Sequence, residues 1–332
     1  MTVTPDLLRR IPMLDDLHES ELSEIISCFS EVQLCAGETL YREGDAATSA
    51  SFLIEGELEA LKALPGGGET VLGIISPGAM IGEMALVNGG ARTATLRARD
   101  ASRVLKVSCH FFHAAIDQMR TPAFKILRAV CMILSGRLNE VQDRILAQWD
   151  CEPFMASAAN RPGDELPFHA PSFEYRPFLS VMPWFDAFDE EEIDGVLAHG
   201  KISEIPRGEF LYREGAPVDA CFLVLRGAVE LSVMRDRRYQ LTVMGPGRLC
   251  GINEMIGDKK AASDARIRSR ALLLRFDRVE FQQIFMGDAT DCLKFQNLVS
   301  ADQLRQLKSA DNLLAMLVSQ SYVLSEPRSR TL

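Results

Sequence analysis

The sequence lacks a membrane span. No apolar run approaches the ~20 residues needed to cross a bilayer, and the longest greasy stretches, such as Val71–Ile75 and Ala271–Leu274, are strand-sized. A cationic excess is lacking too. Lys+Arg total 36 against 46 Asp+Glu, a net charge of −10. Affinity for phosphate backbones comes from clustered Lys and Arg, so this balance argues against nucleic acid as a general partner. Cysteines are few and unpaired in pattern. Eight of them, at 28, 35, 109, 131, 151, 221, 250 and 292, include no Cys-x-x-Cys. That is too sparse for a disulfide scaffold and reads as free thiols in a reducing cytoplasm. Only five histidines occur (His18, His110, His113, His169, His199), and no His-x-His is followed by a glutamate. The ligand set of a β-roll metal oxygenase is therefore missing, and no metal is expected. The opening MTVTPDLLRR has no cationic segment leading into an apolar one, so no secretory signal is expected. No kinase, cyclase or phosphodiesterase signature is present, which points away from an enzyme.

What is there is a repeat. The length of 332 residues suits roughly two domains, and 47% hydrophobic with 25% charged residues is an ordinary globular composition. Gly37-Glu-Thr-Leu-Tyr-Arg-Glu-Gly44 recurs as Gly208-Glu-Phe-Leu-Tyr-Arg-Glu-Gly215. At the same offset Phe52-Leu-Ile-Glu-Gly56 matches Leu223-Val-Leu-Arg-Gly227. Ser76-Pro-Gly78 then matches Gly245-Pro-Gly247 at an offset two residues shorter, so the second copy is shorter near the Pro65-Gly-Gly-Gly68 hairpin. Even Ile11-Pro-Met-Leu14 resembles Val181-Met-Pro-Trp184. A fixed period of this kind means one fold used twice.

Within each copy the strands are short and divided by Gly and Pro, as in an antiparallel sandwich or barrel. The flanks are helical: Asp16–Ser30 and Ala123–Ile145 carry apolar residues at i, i+3, i+4 spacing. The fold class expected is α+β, two antiparallel β-roll (double-stranded β-helix, jelly-roll) domains each flanked by helices. The domains read as 1–146, a Pro-rich linker 147–177, a second roll 178–310, and a helix end and tail 311–332.

The most informative segment is Ile81-Gly-Glu-Met-Ala-Leu-Val-Asn-Gly-Gly-Ala-Arg-Thr-Ala-Thr-Leu96. A strand ends near Gly82, a short helical turn follows, and a Gly-rich loop leads to Arg92. The first turn of a helix exposes unpaired N–H groups that favour an anion. Arg92 can add a bidentate bond to a phosphate. Glu83 makes sense beside an anion if it accepts a hydroxyl, such as a ribose 2′-OH.

This segment, following the Gly-Glu-x-Leu-Tyr-x-Glu-Gly-Asp run at 37–45, resembles the phosphate-binding cassette of cyclic-nucleotide-binding domains. The resemblance covers both repeats, roughly 11–145 and 178–300. It implies β-rolls with an N-terminal helical bundle and a C-terminal lid helix. It places the ribose contact on Glu83 and the cyclic phosphate on Arg92, with backbone amides near Ala85 and Thr93 completing the cradle. The ligand-binding set implied is Gly82, Glu83, Met84, Ala85, Arg92, Thr93 and Ala94. The ligand is cAMP or cGMP, with no further cofactor; Thr93 leans towards cGMP without deciding it.

The second copy departs. Gly251 remains, Ile252 replaces the glutamate, and Lys260 or Ala261 replaces the arginine depending on where the gap falls. A degenerate second site would rest on Gly251 and Lys260. Glu254 lies two residues late for the ribose role.

The helix 123–146 is expected to act as lid, with Arg137, Asn139 and Gln142 near the base, or to supply core or a homodimer seam. The function expected is a cyclic-nucleotide receptor resembling a stand-alone tandem regulatory subunit, its output passing through lid movement to an unidentified effector protein. It lacks an Arg-Arg-x-Ser inhibitor site. Two alternatives stand beside this. A transcription regulator of the cyclic-nucleotide-responsive type would need a basic helix-turn-helix, and none is found beyond Asp277. A tandem scaffold without ligand is the other.

Overall fold

The structure is a computed structural model and describes residues 3–63, 68–149, 169–172, 174–180 and 182–325. Two compact units divide the chain, residues 1–130 and 131–332.

The first unit opens with helices α1 (Pro5–Leu8) and α2 (Glu19–Ile25). The second of these starts where the Glu21 carboxylate accepts the His18 N–H at 2.8 Å, satisfying a donor the helix itself leaves open. Eight strands follow: β1 (Phe29–Leu34), β2 (Thr39–Tyr41), β3 (Ser49–Glu55), β4 (Leu58–Ala63), β5 (Glu69–Ile75), β6 (Met80–Ile81), β7 (Thr95–Ala98) and β8 (Ser102–Ser108). Helix α3 (Met84–Asn88) interrupts them after β6, and α4 (Cys109–Asp117) and α5 (Thr121–Ala147) close the series. The strands form two antiparallel sheets, ordered β1-β8-β3-β6 and β2-β7-β4-β5. Leu34, Leu53, Ile81 and Val104 from one sheet meet Leu58, Leu96 and Ala98 from the other, all buried. This is the two-sheet roll expected from the strand spacing.

The second unit repeats it with longer strands. Helices α6 (Arg176–Leu179) and α7 (Glu190–Ala198) lead in, the latter through a reciprocal cap between Asp189 and Glu192. Strands β9 (Lys201–Ile205), β10 (Phe210–Tyr212), β11 (Ala220–Met234), β12 (Arg238–Met244), β13 (Leu249–Cys250) and β14 (Asp264–Asp277) form one six-stranded sheet, with α8 (Ile252–Gly257) between the last two. Here β11 runs through what are β3 and β4 in the first unit, and β14 through β7 and β8. Gly227 sits mid-strand with φ +87°, and a Cβ there would lie 2.8 Å from Ala271 Cα. Only glycine fits that turn of the strand, which explains why Gly56 and Gly227 mark the repeat. Helices α9 (Arg278–Met286) and α10 (Thr290–Ser325) end the unit; Phe295 packs edge-on to Phe276, with ring centroids 5.3 Å apart.

One boundary differs from the sequence reading. The division between units falls inside α5, at Val130/Cys131, rather than after 146. Helical periodicity marks a buried face but not which neighbour buries it. Of the segment 311–332, read as a helix end and tail, residues 311–325 belong to α10. Residues 150–168 of the expected linker lie outside the described residues; His169 pairs with Glu204 across a short bridge. The apolar stripe of α5 is used within the chain: Ile126, Leu127, Val130, Leu134, Leu138, Val141 and Ile145 are all buried, so that stripe presents no free dimer seam.

Candidate functional site

Strand β6 ends at Gly82, whose φ of +69° lies in the left-handed region. A Cβ at this residue would sit 2.4 Å from Arg92 Nη1, so the missing side chain is what lets the guanidinium approach the start of α3. The far end of the loop is pinned by backbone bonds. Arg92 N–H donates to Asp45 O at 2.8 Å, Gly44 N–H donates to Arg92 O at 2.9 Å, and Ala47 N–H donates to Gly90 O at 2.8 Å. The Gly37–Gly44 signature thus serves to fix the arginine.

Arg92 is 7% exposed and Glu83, at the N-cap of α3, is 0% exposed. The guanidinium lies 3.9 Å above the Tyr41 ring, and Nη2 donates to Ser49 O at 2.7 Å and to Ser49 Oγ at 3.2 Å. Its Nε makes no hydrogen bond. No carboxylate is bonded to this buried cation by a hydrogen bond or ion pair among the described residues. A desolvated guanidinium with a donor to spare is suited to an anionic oxygen. Around it, Ala85 is buried and Met84, Gly82 and Ala94 are half-buried, while Thr93 is exposed. The Ala85 N–H donates to Gly82 O at 3.0 Å, so one amide of the expected cradle is engaged within the turn. Cys109 Sγ contacts Ala85 O at 3.3 Å; burial pushes this thiol up, against the pull of Arg92. Lys62 bridges Glu43 at 2.6 Å and Thr93 O at 3.0 Å, tying strand β4 to the loop, and that bond holds the Glu43 carboxyl below its ordinary value.

In the second roll the backbone pattern settles which residue replaces the arginine. Ala261 N–H donates to Ala216 O at 2.9 Å and Gly215 N–H donates to Ala261 O at 2.8 Å, the bonds Arg92 makes in the first. Ala261 is therefore the counterpart. Lys260 is corrected: it pairs with Pro217 as Ala91 pairs with Ala46, one position early, and its side chain is exposed. Gly251 keeps a φ of +83°, and the atoms nearest to where a Cβ would stand are Ala220 O at 3.0 Å, Val218 Cγ1 at 3.3 Å and Tyr212 Cε1 at 3.4 Å, with no guanidinium among them. Tyr212 OH contacts Cys250 Sγ at 3.2 Å. Burial raises the Tyr212 phenol well above its ordinary value and pushes the Cys250 thiol up to about 12. Ile252 is buried where Glu83 stands in the first roll. Glu254, the counterpart of Ala85, is buried and accepts the Ala262 N–H; burial raises its carboxyl nonetheless. The second loop has an alanine where the first has its cation, and a carboxylate where the first has Ala85.

A further set escaped the sequence reading. Arg248 donates to Asp302 at 2.6 Å, Leu249 N–H donates to Asp302 at 3.1 Å, and Gln306 donates to Leu249 O at 2.9 Å. Asn253 donates to Gln306 at 2.9 Å and accepts from Gln303 at 3.0 Å. Gln303 also donates to Cys131 O at 3.1 Å, and Ser135 Oγ to Asn253 O at 2.8 Å. These buried groups fasten α10 and the middle of α5, at Cys131 and Ser135, to α8. Their signal was the polar series Gln296, Ser300, Gln303, Gln306 at helical spacing. The expected lid residues fall in this second unit: Asn139 lies against Gly257, Arg137 faces Asp311, and Gln142 lines a small cleft of about 40 Å³ with Leu138, Leu231, Leu241 and Leu313. Among the described residues no His/Cys/Asp/Glu group could hold a metal, and no helix is long and apolar enough to cross a membrane.

A repeated antiparallel roll, with a glycine-opened loop carrying a buried arginine in its first copy, is the architecture of a tandem small-ligand-binding protein. The sequence pattern described as Cyclic nucleotide-binding domain matches residues 31–119 and 202–288, more than half of the chain. The chain belongs to the cyclic nucleotide-binding domain family and carries the domain twice. Among similar proteins, a cAMP-dependent protein kinase regulatory subunit of Mycosarcoma maydis is 30% identical over 95 residues, 29% of this chain and 18% of that protein. The cGMP-dependent protein kinase 2 of Mus musculus is 20% identical over 282 residues, 84% of this chain and 30% of that protein. The matches thus span under a third of those relatives' own lengths. Among solved structures, the regulatory domain of Toxoplasma gondii PKA with cAMP aligns over 95% of both chains at 18% identity and TM-score 0.31.

Proposed function

We propose that the first roll is a receptor for a cyclic nucleotide, cAMP or cGMP, and that the protein regulates an effector protein through binding alone, without catalysis, in the cytoplasm. The observation that carries this is Arg92: a buried guanidinium over Gly82, stacked on Tyr41, with an unused Nε donor and no carboxylate hydrogen-bonded or ion-paired to it among the described residues. Gly82, Met84, Ala85, Thr93 and Ala94 shape the contact, and Glu83 takes the ribose hydroxyl. A cyclic phosphate brings one negative charge to a cation already stripped of water, where attraction is strong. The cAMP and cGMP named for the related proteins supply the ligand class.

The second roll, with Ala261, Ile252 and Glu254 at the matching positions, takes no cyclic nucleotide; a phosphate there would meet a carboxylate without a cation. The coupling proposed is a population shift. Nucleotide favours one setting of α5, which continues from the first unit into the second, and the difference in affinity between settings moves it. Isothermal titration calorimetry with cAMP and with cGMP tests the reading: one site per chain is expected, and no heat with either ligand rejects it in favour of a scaffold. Hydrogen exchange over residues 123–146 tests the coupling; unchanged protection at saturating nucleotide rejects it.

A further inference from the structure

We propose that the sheet face of the second roll built by β10, β14 and the β11–β12 hairpin docks an acidic segment of a partner protein. The two rolls carry the same pair of arginines on this face but neutralise only one pair. In the first roll Arg97 donates to Glu59 at 2.8 Å and to Glu69 at 3.1 Å, and Arg99 is paired with Glu57. In the second, Arg266 lies opposite Phe210 and Glu230, just as Arg97 lies opposite Thr39 and Glu59. Arg268 is the counterpart of Arg99. The positions of Glu57 and Glu69 are occupied by Ala228 and Arg238. The first face therefore sets three carboxylates against two arginines, and the second one carboxylate against three.

The three arginines bond to neutral groups. Arg266 donates to Gly208 O at 3.3 Å, Arg268 to Gln240 Oε1 at 3.3 Å, and Arg238 to Ser232 Oγ at 2.9 Å. Among the described residues none of them forms an ion pair. They gather round one half-buried ring: the guanidinium carbons of Arg266 and Arg238 lie 5.6 and 5.9 Å from the Phe210 centroid, and that of Arg213, which pairs with Asp264, lies 3.1 Å from it. Like charges held this close repel until an anion arrives. Forked donors beside an aromatic floor fit carboxylates, with the ring taking the methylene stem of a glutamate. A short acidic peptide is favoured over nucleic acid because a chain of net charge −10 repels a long polyanion while the local face attracts a short one.

The test uses the full chain and a fluorescein-labelled decapeptide of alternating Glu and Ala, followed by anisotropy at low salt. Saturable binding that weakens as salt rises is expected. The double variant Ala228→Glu, Arg238→Glu should weaken it at least tenfold. Both glutamates have native counterparts beside Arg99 and Arg97 in the first roll, so the fold should tolerate them, and a thermal melt checks this. Unchanged peptide affinity in a folded variant overturns the proposal. So does equally tight binding of a single-stranded oligonucleotide of the same length. Self-association, seen by light scattering and lost in the variant, would assign the face to a second copy of this chain and overturn it as well.

Discussion

Replacing Arg92 by alanine removes a guanidinium of which Nη2 is already bonded to Ser49, while Nη1 faces Gly82 and Nε has no partner. Two donors are thus available to a phosphate. A hydrogen bond to a charged group contributes about 1.5–3 kcal/mol, and such bonds are not additive. A loss of about 3 kcal/mol follows, on the order of 100-fold in Kd. Arg92→Lys keeps the charge but not the fork, and should lose on the order of tenfold. The assay is calorimetry of each variant beside the wild type, with cAMP and with cGMP. A thermal melt accompanies it, because the arginine also supplies the Tyr41 stacking and the Ser49 bonds, together about 1–2 kcal/mol of stability. If folded Arg92→Ala binds within threefold of the wild type, the guanidinium is no phosphate contact and the receptor reading fails.

Gly82→Ala strains a left-handed residue by about 1 kcal/mol and drives a methyl into Arg92 Nη1; nucleotide affinity should fall by on the order of tenfold, and calorimetry that finds it unchanged counts against the close approach. Glu254 is raised from an ordinary value of 4.5 by burial. The folded state then holds this proton more tightly than the unfolded chain, so its charge destabilises the fold increasingly as pH climbs from about 4.5 towards the raised value. Glu254→Gln should melt higher than the wild type at neutral pH, with the gap closing below pH 4.5; melts across that range that run parallel would contradict this. Asp302→Ala leaves the Arg248 charge and the Leu249 amide without their acceptor, and should cost about 3 kcal/mol. Denaturant melts measure the loss, and hydrogen exchange should rise over residues 302–310.

The repeat and the first loop were legible because each rests on residues whose type is dictated locally. Gly56 and Gly227 must lack a Cβ, and Gly82 must leave room for Arg92. The counterpart of Arg92 was not legible. The two-residue gap between the copies can be placed in more than one way on paper, and only the backbone bonds of Ala261 to Ala216 and Gly215 select one. The part played by the polar residues of α10 was not legible either, since one sequence does not reveal that Asn253, Asp302, Gln303 and Gln306 satisfy one another out of water. For the same reason Asn139 and Gln142 gave no sign that their half of α5 belongs with the second unit.

Tyr41 and Tyr212 occupy the same place in the repeat yet have opposite uses. One is a platform beneath a guanidinium; the other is buried with its hydroxyl 3.2 Å from the Cys250 thiol. Loss of the arginine from the second copy is hard to reverse. An arginine written back at Ala261 alone would still have Ile252 where the first copy has Glu83 and the buried Glu254 where it has Ala85, so recovery calls for several simultaneous changes. Such a ratchet leaves the copy free to drift towards other work while its twin keeps the arginine.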